Sequence, residues 1–389
     1  MLRVRPFDLS ATNRRLTRAL TVYDLRRIAQ KRVPRPVFDY VDGAAESETS
    51  VNRARKLFGD LEFSPSILHD VSTVNTSAFV LGSPTALPVS FAPTGFTRLV
   101  QHEGERAVAR VAESWNIPYA LSTMGSTSIE DVERAAPGAR RWFQLYMWKD
   151  RGASQDLVER AKSAGYDALI VTVDVPVAGA RLRDVRNGFS APPELSLRTL
   201  AQMARHPAWG INLITTPPLK FASLDNWNGS IADLVSQIFD PTVTMRDLDW
   251  IRSIWQGPLV VKGIQRAEDA VRVIDAGADA IVLSNHGGRQ LDRTAPPLRL
   301  LPDVRDAIPD SSEVWLDSGI MTGGDIVAAI ALGATTTMVG RAYLYGLMAG
   351  GERGVDRTLQ ILSAEIRRTM ALLGVQNLAE LHASHVRLP

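Results

Sequence analysis

Eight short apolar runs, alternating with segments of helical periodicity, constrain this chain more than any other feature. They occupy residues 88–92, 119–122, 142–146, 168–173, 259–262, 280–284, 314–317 and 337–340. Their continuous apolar, β-branched and aromatic character is that of strands buried on both faces. Between them, 103–115, 154–164, 267–276 and 324–332 carry apolar residues at helical spacing, and Gly165, Gly277 and Gly333 stand where helices stop. Eight such strands is the closure number of a parallel barrel. The predicted fold class is therefore α/β, a (β/α)8 TIM barrel. A doubly wound open sheet is the alternative, but no G-x-G-x-x-G follows the first strand.

Two regions stand outside the repeat. Residues 1–87 precede the barrel of 88–389 and read as a helical preface, with a helix at 21–30 and a further apolar segment at 37–44. The preface either closes the barrel bottom or reaches over its rim. Residues 184–256, after the fourth strand, are far longer than a strand-to-helix connection needs. They carry Leu195, Leu197, Leu200, Met203, Trp209, Ile211, Leu213 and Ile214 among Arg198, Arg205 and Lys220. One reading is a lid or helical pair packed on the barrel; the other is an amphipathic patch that docks on a membrane.

Composition narrows the chemistry. A chain of 389 residues with 45% hydrophobic content can bury one large core or two ordinary ones. A net charge of +2 with no basic stripe argues against nucleic acid as a partner. The absence of cysteine excludes disulfides, thiolate catalysis and Cys-ligated metal centres. No metal site is expected, because the histidines form no H-x-x-x-H or carboxylate cluster apart from the tail pair His382 and His385. The N-terminus shows no apolar core of a signal peptide, and no stretch approaches the ~20 apolar residues of a membrane span. A cytoplasmic protein is expected, free or peripheral on the cytoplasmic membrane face.

Polar residues fall at or just past the strand ends: Thr94, Ser122, Gln144 with Tyr146, Thr172 with Asp174, Lys262, Ser284 with His286 and Arg289, Asp317, and Gly340 with Arg341. In a barrel of this kind that rim is where sites are built. The run Ser284-Asn285-His286-Gly287-Gly288-Arg289-Gln290-Leu291-Asp292 joins a general base to a fixed cation through two glycines. That suits a substrate with an acidic proton and a carboxylate; the bland reading is a tight turn capped by a histidine. Lys262 at a strand end also admits a Schiff-base aldolase nucleophile. A catalytically dead scaffold would have lost one of His286, Asp174, Arg289 or Lys262, and all four are present.

Together with F-Q-L-Y-x-x-x-D-R at 143–151, T-V-D-x-P at 172–176 and V-K-G at 261–263, this run resembles the FMN-dependent L-2-hydroxy acid oxidising enzymes. That family includes glycolate oxidase, flavocytochrome b2, L-lactate dehydrogenase and mandelate dehydrogenase. The similarity runs from about residue 21 to the C-terminus, and H-P-x-W at 206–209 is most similar to the membrane-associated, quinone-linked members. The resemblance implies FMN as cofactor, a small 2-hydroxy acid as substrate, and a quinone or other electron acceptor. It further implies peripheral membrane contact and a homo-oligomer, commonly a tetramer. His286 is similar to the family's base and Asp174 to the carboxylate that steadies it. Tyr146 matches the tyrosine on the substrate hydroxyl, and Arg289 and Tyr40 the groups on its carboxylate. Arg181 aligns with a second arginine, and Lys262 with the lysine beside the flavin N1–C2=O edge. Thr94, Ser122, Gln144, Thr172 and Ser284 match positions around the ring and ribityl chain, and Asp317 the ribityl hydroxyls. The phosphate is expected over Gly319, Gly323, Gly340 and Arg341.

One departure stands out. The family reads D-[GS]-G-[IVF]-R with arginine on the phosphate, whereas this chain has Asp317-Ser318-Gly319-Ile320-Met321. Arg341 is left as the evident arginine for the dianion, with Thr322 as a compensating donor, and weaker FMN binding is expected. Gly95 and Met124 match positions lining the substrate pocket, one leaving room and the other a flexible apolar wall. With the 179–184 segment, which looks closest to lactate dehydrogenases, they imply L-lactate first. L-mandelate dehydrogenase, or an oxidase that uses oxygen, is the alternative.

Overall fold

The computed structural model describes residues 10–188, 201, 203–222 and 239–389. Each predicted run contributes to one strand of a closed barrel: β1 Val89–Phe91, β2 Tyr119–Ser122, β3 Arg141–Leu145, β4 Ala168–Thr172, β5 Leu259–Ile264, β6 Ala280–Leu283, β7 Glu313–Leu316 and β8 Thr336–Val339. Neighbouring strands pair in parallel in chain order, and β8 closes on β1. The chain is a (β/α)8 barrel.

Alternation along each strand divides the core in two. Ala92, Ala120, Trp142, Ala168, Ile170, Val260, Ala280, Val282, Trp315 and Met338 fill the bore, where Trp142 and Trp315 stack with centroids 4.6 Å apart. The alanines of β2, β4 and β6 leave the width that two indoles need. Residues between them face the outer helices and join the larger cluster, as Phe143, Leu169 and Ile281 do.

Residues ahead of the first barrel strand reach both ends of the barrel. A hairpin, Ala78–Val80 with Ser83–Thr85, plugs the bottom: Val80 packs into the bore cluster and Leu81 N–H donates to Glu313 at 2.6 Å. Helices Arg35–Asp42 and Thr49–Asp60 instead reach over the opposite rim, placing Tyr40, Val41, Val51 and Arg55 on the cavity there. Asp42 pins this arrangement, accepting from Arg26 at 2.6 and 2.9 Å, Arg183 at 3.0 Å and the Tyr345 hydroxyl at 2.7 Å. Burial alone would raise its carboxyl, but Arg26 and Tyr345 hold it well below the usual carboxylate range.

In the long β4–β5 connection, helix Met245–Ile254 takes the place of the barrel helix before β5, so the extra chain ends ahead of it. Helix Pro207–Thr215 seats Trp209 on the barrel, its indole N–H donating to the Leu99 carbonyl at 2.8 Å, and Phe221 packs on Phe96 at 4.3 Å. Ile211 and Ile214 on the same helix are 60% and 72% exposed. Leu195, Leu197, Arg198 and Leu200 lie outside the described residues. No described helix is long and apolar enough to cross a membrane.

Candidate active site

The period of two that fills the bore also builds the mouth. Two residues beyond inward-facing Ala92, Ala120, Trp142, Ile170, Val260, Val282, Trp315 and Met338 stand Thr94, Ser122, Gln144, Thr172, Lys262, Ser284, Asp317 and Gly340. Alternation alone therefore turns this ring of residues toward the barrel axis. Above it opens a cavity of about 550 Å3, within the range of cofactor sites. Every sequence-predicted site residue named above lines it except Asp174, Gln144, Ser284, Thr322 and Gly323.

His286 Nδ1 lies 3.0 Å from Asp174 Oδ1, and its Nε2 lies 3.4 Å from the Tyr146 hydroxyl. Asp174 is 5% exposed at the side chain and sits behind the histidine, outside the cavity wall. Burial pushes its carboxyl up, but His286 and then Lys262 outweigh that and leave it below the usual range. Burial, then the Asp174 charge, drives the Tyr146 phenol well above its ordinary value, so it remains a donor. The glycines fix this cluster. His286, Gly287 and Gly288 all have positive φ, and a Cβ on Gly288 would lie 2.8 Å from the Val51 nitrogen. His286 thus sits in a left-handed conformation that the loop imposes.

Arg289 Nη1 donates to the carbonyls of Tyr40 at 2.6 Å and Gly43 at 3.3 Å, and its guanidinium carbon lies 5.1 Å over the Tyr40 ring. Burial, with Arg181 and Arg341 nearby, lowers it to about 10, which leaves it cationic at neutral pH. Arg181 lines the same side, 3.6 Å from Asp184. The Tyr40 hydroxyl donates to Gly95 O at 3.4 Å, and a Cβ on Gly95 would meet Met124 Cβ at 2.9 Å. Met124, Val185, Phe221 and Phe239 supply the apolar wall.

At the cavity floor Lys262 Nζ donates to Ser284 Oγ at 2.8 Å and pairs with Asp317 at 2.7 Å. Burial disfavours its charge, yet Asp317 and Asp174 keep its pKa raised. Such a lysine is a fixed cation, not the free amine that Schiff-base chemistry requires. Beside it, Gln144 Nε2 and Thr172 Oγ1 are buried with no hydrogen-bond partner among the described residues, while Ser122 donates to Gln144 Oε1 at 2.9 Å. Orphaned polar atoms around a large cavity call for a ligand with a polar edge. The polar edge of a flavin would meet that need at Thr172 and Lys262, which line the cavity.

Three expectations for the phosphate end resolve differently. The Gly323 N–H donates to Glu365 at 2.7 Å, and a Cβ there would lie 2.4 Å from the Ile366 nitrogen, so this glycine serves a helix crossing. Thr322 caps helix Gly323–Ala331 in a reciprocal box with Asp325 and does not line the cavity. Arg341 does line it, but directs three of its N–H groups to the carbonyls of Val41, Gly287 and Gly43 at 2.7–2.9 Å.

Sequence reasoning missed three contributors. Ser318 Oγ donates to Asp317 at 2.6 Å and accepts from Gly287 N at 3.0 Å, tying the β7 loop to the histidine loop. Glu105, fully buried, accepts from Thr97 N, Ser126 N and Oγ and Thr127 Oγ1 at 2.7–3.3 Å, fixing the loops after β1 and β2. Arg55 enters the cavity from the preface. Only an arginine in an amphipathic helix marks it in the sequence, and that signal is too common to select it.

Comparison with known proteins agrees with this geometry. The FMN-dependent dehydrogenase family model matches residues 29–388. A Mycobacterium tuberculosis protein, provisionally named L-lactate dehydrogenase, is 58% identical over 380 residues, covering 98% of this chain and 91% of its own. The L-lactate dehydrogenase of Caulobacter vibrioides is 41% identical over 366 residues, covering 92% and 95%. The crystal structure of the monotopic membrane protein (S)-mandelate dehydrogenase superimposes with a TM-score of 0.90 at 38% identity, covering 96% of this chain and all of the other. With that match along nearly its whole length, and with a cavity whose orphaned donors suit a flavin, this chain belongs to the FMN-dependent dehydrogenase family.

Proposed function

We propose that this flavoenzyme oxidises an L-2-hydroxy acid to the 2-oxo acid, with L-lactate, giving pyruvate, as its preferred substrate. The observation that carries the reading is the meeting of His286, backed by Asp174, with Arg289 and Tyr146 in one cavity over Lys262. The oxidation removes two protons and two electrons from the substrate; FMN, when bound, would accept the electron pair together with one proton, and the other passes to His286. His286 Nε2 takes a proton, and the adjacent Asp174 carboxylate stabilises the imidazolium that results. Arg289, fixed at Nη1 by two carbonyls, presents its remaining fork to the substrate carboxylate. Tyr146 holds the substrate hydroxyl beside the base. Lys262 keeps a cation where negative charge builds up.

Lactate is favoured by the names of the Mycobacterium and Caulobacter relatives. The aromatic side of the cavity, Phe221 and Phe239, and the mandelate dehydrogenase likeness favour (S)-mandelate as the second substrate. Steady-state rates with an artificial acceptor decide the order: L-lactate is expected to be fastest and D-lactate inert, and a strong preference for (S)-mandelate would reverse it. The acceptor we propose is a quinone, reached at a membrane surface through exposed Ile211 and Ile214. The wild-type protein should pellet with anionic vesicles and the double variant Ile211→Asp/Ile214→Asp should not; equal pelleting removes this reading. A tetramer, giving four chain masses by light scattering, is the expected assembly.

A further inference from the structure

The cavity closes, at its β7–β8 end, between Gly319, Met321, Gly340 and helix Arg341–Gly350. Loops after the last two strands are where barrels of this class hold phosphate, and a dianion there needs charge as well as N–H donors. Met321 brings no charge; it is 2% exposed and its own N–H donates to Asp325 at 2.8 Å. Arg341 is cationic but largely committed to three backbone carbonyls.

The other guanidinium on this end is Arg55. Its helix, Thr49–Asp60, is held against the cavity by its own face. A Cβ on Gly319 would stand 3.1 Å from Ala54 Cβ and 3.2 Å from Phe58, and Gly288 lies against Val51. Positions 51, 54, 55 and 58 share one side of a helix, so the packing that seats Val51, Ala54 and Phe58 turns Arg55 inward beside them. Its one hydrogen bond among the described residues is long, 3.5 Å to the Tyr345 hydroxyl, which itself donates to Asp42. Asp42, the nearby carboxylate, is already matched by Arg26 and Arg183. A half-buried arginine whose one hydrogen bond is long, next to a second arginine at a closed cavity end, leaves guanidinium N–H groups without an acceptor among the described residues, although Asp42 feels its charge.

We propose that Arg55, supplied by the preface helix, carries the phosphate of FMN in this chain and replaces the cation that Met321 does not provide. The assignment rests on the phosphate lying at the β7–β8 end. Two flavins separate the phosphate from the rest of the cofactor, because riboflavin lacks it. Dilution of the holoenzyme, followed by the fluorescence of released flavin, gives the FMN affinity, and displacement by riboflavin gives the second constant. Arg55→Met is expected to weaken FMN roughly tenfold to a hundredfold while changing riboflavin less than about threefold. Unchanged FMN affinity, or equal loss of both flavins, overturns the proposal. A wild-type protein that holds riboflavin as tightly as FMN would instead remove the phosphate placement itself. Met321→Arg gives a check that leaves Arg55 in place. With the phosphate already countered, FMN affinity should rise less than about threefold, and a rise of tenfold or more would show that the end lacked a cation.

Discussion

The two ends of the cavity are assembled by different rules. At the end we propose to be catalytic, His286 and Asp174 follow barrel strands, whereas Lys262, expected at a strand end, lies within β5, which runs on to Ile264; all three positions are set by a register that repeats every two residues. At the end where we propose the phosphate lies, one arginine bends back to carbonyls, the predicted threonine caps a helix, and the remaining cation arrives from residues 49–60, outside the repeat altogether. A barrel strand fixes where its own last side chain points. It says nothing about which external helix will lie across the mouth, because that depends on packing between segments more than two hundred residues apart, as Val51 against Gly288 illustrates.

The comparison breaks most directly at the base. His286→Gln should lower kcat roughly 100- to 10,000-fold while bound FMN is retained, since the histidine serves proton transfer at one end only. Loss of FMN in that variant would mean the two ends are not separable. Next in size is Asp42, which holds the preface over the rim. Removing a buried carboxylate from three partners should cost about 3 kcal/mol at neutral pH. Its folded carboxyl is held low, so the stabilisation is full above the unfolded value of about 4 and fades as pH falls toward the folded one. Denaturation of wild type and Asp42→Asn should therefore converge in acid, and a pH-independent difference would contradict the ion-pair account. Arg289→Lys keeps charge but loses the fork, and kcat/KM should fall about a hundredfold, mostly through KM. The smallest effect sharpens the phosphate end: Thr322→Ala should lose about 1 kcal/mol of stability, read by thermal melts, with FMN affinity unchanged. A parallel loss of FMN would return Thr322 to the phosphate.

The barrel and the polar residues gathered at its mouth were legible because periodicity and a specific His-Gly-Gly-Arg run fall at the same end of the strands. What escaped has a physical reason in each case. Gly323 reads like a phosphate glycine, yet close helix crossing and anion cradling both demand a missing Cβ. Arg341 sits at the expected place, but sequence cannot show that carbonyls 41, 43 and 287 reach it first. Glu105 lies in an ordinary amphipathic helix, and its role emerges only when the loops after β1 and β2 fold back onto it.

Anaerobic mixing of the holoenzyme with L-lactate, followed at the flavin absorbance bands, tests the central claim that one cavity joins base, carboxylate anchor and flavin. The account predicts rapid loss of the yellow absorbance with L-lactate, none with D-lactate, and a still-yellow but unresponsive His286→Gln enzyme. Bleaching of that variant at the wild-type rate, or a wild-type protein unmoved by any L-2-hydroxy acid, would contradict it.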